Sequence, residues 1–127
     1  MMKITQLNHV AVHVEDVARS ARFYAEVLGL EPMPRPAFDF PGAWFRIGVD
    51  QELHLIGRDP QSGLPPMERH YALMVDSIET ARSQLDACGH EFSGPKQRPD
   101  GAFQIFLRDP DGHVIELCTP PGGGGDP

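Results

Sequence analysis

The sequence predicts an α+β chain made of two copies of one strand-helix-strand-strand-strand module. Three observations carry this. A histidine-led alternating stretch occurs twice, as "LNHVAVHVEDVARS" from Leu7 and "ERHYALMVDSIETA" from Glu68. Each stretch leads into a helical pattern that stops at a glycine, Gly29 or Gly89. Each half then closes on short alternating runs, the last pair joined by "RDPDGH". Self-similarity of this kind fixes the architecture, so it is read before single elements.

In the first module, Leu7 to Val14 alternates, with Val10, Val12 and Val14 on one face and His9, Ala11 and His13 on the other. That is a strand. Asp16 is placed to cap a helix from Val17 to about Leu28, whose apolar stripe is Val17, Ala21, Tyr24 and Leu28. Gly29 stops it. Leu30 to Met33 follows, then a Pro-rich loop and two strands, Ala43 to Gly48 and Glu52 to Ile56. The second module repeats the plan. Tyr71 to Val75 is a strand led by His70, and Ser77 caps a helix with Ile78, Ala81, Leu85 and Cys88 in its stripe. After Gly89 come a short strand around Glu91 and Phe92, a Pro/Gly-containing loop, and strands at Ala102 to Leu107 and His113 to Cys118. Asp-Gly in the last connection is a strong turn signal.

These boundaries predict one domain over residues 1–119, with module one at 4–57, a linker at 58–68 and module two at 69–119. The glycine-rich residues 120–127 are expected to be a disordered tail, because glycine loses the most entropy on ordering. The chain has 127 residues, 40% of them hydrophobic, enough for a shared core, but each half alone is near the size at which folding becomes marginal. The halves therefore need each other or a partner chain.

Composition excludes several functions. The net charge is -7, with no clustered Lys/Arg surface to neutralise phosphates, which argues against nucleic acid. No apolar run approaches the roughly 20 residues of a membrane-spanning helix, and "MMKITQLNHV" has no secretory pattern. Cys88 and Cys118 both sit in apolar contexts and read as buried thiols. A cytoplasmic protein with a small-molecule substrate is expected.

The repeat also aligns chemistry. His9 and His70 open the first strands of the two modules, while His54 in "ELHLIG" and Glu116 in "GHVIELCTP" hold equivalent places in the last strands. Pairing such halves brings equivalent positions together, so the four side chains are expected to converge on a concave sheet surface. Three neutral imidazoles and one carboxylate suit one divalent metal: Zn, Ni, Co, Mn or Fe. A carboxylate in so apolar a strand needs a metal or a cation. Glu52 shares a strand face with His54 and is the alternative fourth ligand. His13 and His113 read as surface or turn residues.

With these residues and the motifs "LNHVAVHVEDVARSARFYAEVLGLE", "HYALMVDSIETA" and "FLRDPDGHVIEL", the chain resembles the vicinal oxygen chelate superfamily over about residues 5 to 119. That superfamily includes glyoxalase I, fosfomycin-resistance and bleomycin-resistance proteins, methylmalonyl-CoA epimerase and extradiol dioxygenases. The resemblance implies paired βαβββ modules whose mixed sheets form a cup around a metal held by His9, His54, His70 and Glu116. It also implies a homodimer whose sites draw on both chains. The leading function it implies is a glyoxalase-like lyase or isomerase. A small oxygen-chelating substrate would react through a metal-stabilised enediolate, with Glu116 as mobile ligand and base and His54 as ligand or second base. Glyoxalase I normally has Glu at the place of His54. The alternatives are a thiol transferase like the fosfomycin-resistance proteins, a ligand-binding module without catalysis, and an extradiol-type dioxygenase. A thiol co-substrate such as glutathione belongs to the first two enzyme readings. Trp44 and Phe40 are candidate walls of the substrate cup in a lid-like "RPAFDFPGAWF" segment, where Phe45 reads equally as core. Lys96 and Arg98 are candidate anion-binding residues.

Overall fold

The computed structural model describes residues 1–3, 5–58 and 69–122. Two compact units divide the chain, Met1–Ser62 and Gly63–Pro127. All of the expected linker except Arg58 lies outside the described residues, as does the expected tail from residue 123 onward. Residues 120–122 are described, and there the Gly122 N–H donates to the Asp100 carbonyl at 2.8 Å.

The first unit contains β1 (His9–Val14), α1 (Val17–Arg22), a π-helical turn (Phe23–Val27), β2 (Glu31–Met33), β3 (Gly42–Ile47) and β4 (Gln51–Gly57). Its strands lie in the order β1-β4-β3-β2, with β1 parallel to β4 and the other pairs antiparallel. Valine alternation on β1 buries Val12 and Val14, and Leu53, Leu55 and Phe45 extend this apolar face across β4 and β3. Burying each such side chain contributes roughly 1.5–3 kcal/mol. Asp16 caps α1 as expected, its Oδ1 accepting the Arg19 N–H at 3.0 Å.

The expected regular helix to Leu28 is interrupted. After Arg22 the chain makes a π turn in which the Leu28 N–H donates to the Phe23 carbonyl, five residues back, at 3.3 Å. One extra residue shifts the periodicity, so Phe23 and Ser20 are buried beside Tyr24, whereas Val17, Ala21 and Leu28 are only half-buried. Gly29 then takes φ 71° and ends the helix.

The second unit contains β5 (His70–Met74), α2 (Ile78–Ala87), β6 (Ser93–Gln97), β7 (Phe103–Arg108) and β8 (Val114–Cys118), in the order β5-β8-β7-β6. Again the first strand runs parallel to the last, β5 to β8. Ser77 Oγ accepts the Thr80 N–H at 3.1 Å, and Ile78 and Leu85 anchor α2 in a core with Ile105, Leu107, Ile115 and Leu117. Two expectations fail here. Cys88 is exposed, because it caps the end of α2 rather than extending its buried stripe. The strand expected around Glu91 and Phe92 begins at Ser93 and runs through the supposed Pro/Gly loop. It is an edge strand with a register shift between Ser93 and Lys96, the setting in which a sheet accepts proline.

Asp109 organises the final turn. Its Oδ1 accepts the N–H groups of Asp111 and His113 at 2.9 and 2.8 Å. No helix among the described residues is long and apolar enough to cross a membrane.

Candidate functional site

The strand registers make the repeat a residue-by-residue correspondence. In the first unit Ala11, His54 and Trp44 form one row across β1, β4 and β3. In the second unit Ala72, Glu116 and Phe106 form the same row across β5, β8 and β7. His9 and His70 each stand two residues before the alanine of their row, on the same face of their strand. His54 and Glu116 are thus structural equivalents, as are His9 and His70.

In the first unit the face opposite α1 carries a stack of three rings. His54 lies on β4, between β1 and β3. Its ring is 4.2 Å from the His9 ring at 17° and 3.9 Å from the Trp44 ring at 3°. His54 Nε2 is 2.8 Å from Glu52 Oε1, and His9 Nδ1 is 2.8 Å from Asn8 Oδ1. Both oxygens accept, so in the neutral rings the lone pair falls on Nε2 of His9 and Nδ1 of His54. Glu52 and His54, the alternatives for one ligand position, are therefore in contact with each other.

In the second unit His70 Nε2 is 3.0 Å from Glu116 Oε1, and Gln104 Nε2 donates to Glu116 Oε2 at 3.1 Å. Glu116 is 5% exposed, so both contacts offset the desolvation of its carboxylate. The Phe106 ring meets His70 edge-on at 5.5 Å and 90°. Burial, reinforced by Glu116, pushes the Cys118 thiol above its ordinary value, with Arg98 opposing.

The donor chemistry fits a divalent metal. Two ligands each about 2.0–2.1 Å from one ion, at tetrahedral or octahedral angles, are about 2.9–3.4 Å apart. The His70 Nε2 to Glu116 Oε1 separation of 3.0 Å falls at that chord and is equally the length of a direct hydrogen bond between the two. Within each unit the donors come in pairs. Among the described residues there is no group of three or more His, Cys, Asp or Glu side chains able to hold an ion.

The other candidates divide. Trp44 is part of the ring stack, and Phe40 stacks on Phe38 at 5.2 Å, with Phe38 6.1 Å from Trp44. Phe45 is a core residue, 2% exposed. Lys96 is exposed on β6 and pairs in register with Gln104. Arg98 donates to Asp100 through Nε at 3.1 Å and also through Nη2, a bonding that holds Asp100 below the usual carboxylate range and raises Arg98. Its charge is thus already offset by a neighbour. Sequence reasoning missed Asn8, Gln104 and Arg35. The signal for Gln104 was its place two residues before Phe106 on an alternating strand; Asn8 directly precedes His9.

Residues 6–117 match the model of the Glyoxalase/Bleomycin resistance protein/Dioxygenase superfamily, and the chain belongs to that superfamily. A protein named Glyoxylase I 4 from Arabidopsis thaliana is 32% identical over 127 aligned residues, covering 93% of this chain and 72% of its own. Glutathione transferase FosA from Serratia marcescens is 32% identical over 119 residues, covering 90% and 80%. Among solved structures, a glyoxalase family protein from Bacillus anthracis superposes with a TM-score of 0.77 at 30% identity, covering 94% of this chain and 98% of its own.

Proposed function

We infer that the chain is a metal-dependent lyase or isomerase of the glyoxalase type, acting in the cytoplasm on a small substrate with two adjacent oxygens. One divalent metal would be served by His9 and His54 from one unit and by His70 and Glu116 from the other, of the same chain or of a second copy in a homodimer. The observation that carries this reading is the shared register of His54 and Glu116, each with a histidine on the neighbouring parallel strand. The ion supplies Lewis acidity for negative charge developing on substrate oxygen.

The chain's own residues do the rest. His9 is held by Asn8 so that Nε2 faces outward with its lone pair. Gln104 on Oε2 and His70 on Oε1 orient the Glu116 carboxylate, the group that would take a proton from carbon beside the substrate carbonyl. Trp44, stacked on His54, limits the motion of that ring and shields it from water on one face.

The test is metal content by mass spectrometry on untagged protein, beside His54→Ala and Glu116→Gln. The expected result is about one divalent ion per chain in the wild type, the stoichiometry of a single four-donor site, and less in both variants. Glu116→Gln should also lose turnover. Wild-type protein that takes up no Ni, Co, Zn or Mn, or variants that load as fully as wild type, would overturn the reading.

A further inference from the structure

We propose that a cavity in the first unit, lined by α1, the π turn, β2 and the start of β3, binds an oxyanion carried on a small apolar body, with Arg35 as the recognising cation. The cavity measures about 450 Å³, within the range of small-ligand pockets. Arg22, Arg35 and Glu26 supply its charge, and Met33, Phe45 and Trp44 are among its apolar walls. Among the described residues none of these three charged groups is in an ion pair, so the cavity carries a net positive charge in a chain of net charge -7.

Arg35 is held as a binding group would be. Its guanidinium carbon lies 5.1 Å from the centres of both the Phe38 and Phe40 rings, and Nη2 donates to the Phe40 carbonyl at 3.0 Å. Its Nε is buried with no acceptor among the described residues. An unsatisfied donor of this kind weighs against the free protein and calls for an explanation. A ligand anion does not reach this buried Nε; it meets the other guanidinium nitrogens and so offsets the cost of fixing and partly desolvating the charge. Gly42 makes the placement possible: a Cβ there would come within 3.0 Å of Arg35 Nη2. Geometry narrows the ligand. A guanidinium fork matches the oxygens of a carboxylate or a phosphonate, and the apolar walls accept a short hydrocarbon body.

Trp44 reports on the cavity directly, being the chain's single tryptophan and part of its wall. The experiment titrates metal-stripped protein with hexanoate, hexylphosphonate and neutral hexanol, following Trp44 emission and heat. Working without metal keeps the outcome independent of the metal-centre reading. Saturable binding of at least one anion is expected, with the difference between the two anions naming the preferred group. Hexanol should bind about tenfold or more weakly, and Arg35→Gln should lose a similar factor. Arg35→Lys keeps the charge without the fork and should fall between. Absence of saturable binding by either anion, hexanol binding as tightly as the anions, or Arg35→Gln titrating like wild type would overturn the proposal. The comparison of anion with alcohol needs no variant, so it holds even if Arg35→Gln fails to fold.

Discussion

A carboxylate buried in a strand of apolar residues has to find donors, and Glu116 finds His70 on one oxygen and Gln104 on the other. Removing Gln104 therefore has two consequences. Gln104→Leu leaves Oε2 without a donor, at a cost of about 1–3 kcal/mol in stability, read by urea denaturation. It also frees the carboxylate to rotate, so divalent metal affinity should fall about tenfold or more by titration. A variant that matched wild type in both would remove Gln104 from any role at Glu116. The four candidate ligands were legible in the sequence because each is a chemical exception in an apolar alternating run. Their supports were not. Asn8 and Gln104 are ordinary polar residues, and only strand register shows which carboxylate or imidazole they meet. Arg35 was illegible for a related reason: its neighbours Phe38 and Phe40 lie in a loop with no periodicity to read.

Strands and caps followed from local chemistry, while departures from regular structure did not. Alternation, the caps Asp16 and Ser77 and the glycine stops placed the start of α1, the whole of α2 and seven strands, β1 to β5, β7 and β8, to within a residue or two. The π turn at Phe23–Val27 escaped because a 3.6-residue pattern has no mark for one inserted residue. β6 escaped because Gly94 and Pro95 ordinarily punctuate a loop, and only an edge position makes them compatible with a strand. β3 offers a test at this scale. Its first residue, Gly42, lies so close to β4 that a Cβ would be 2.5 Å from the Leu55 carbonyl oxygen. That oxygen is backbone and yields only if the strands move. Gly42→Ala should destabilise the chain by about 1–3 kcal/mol, visible as a lower melting temperature. A melting temperature equal to wild type would mean that β3 shifts freely at its start.

At the scale of the molecule, the repeat announces two units of one plan, and size decides how they should unfold. A unit of about 60 residues buries only about 60% of the surface its unfolded chain exposes, and its hydrophobic gain barely exceeds the entropy it loses. Each unit here has one four-stranded sheet and one substantial helical segment, with its core on the helix-bearing face. Neither has the disulfide that small independent domains often use: Cys88 and Cys118 are both free. Independent stability of either unit is therefore a poor expectation, and the full chain should unfold as one cooperative system. Trp44 makes this measurable, because the only tryptophan reports on the first unit while far-UV circular dichroism reports on both. In a urea titration the two signals should trace one coincident transition. A fragment of residues 1–58 should show no cooperative transition in Trp44 emission. Two separated transitions, or a fragment that melts like the whole chain, would mean that each module is stable alone, and the repeat would then reflect duplication without mutual dependence.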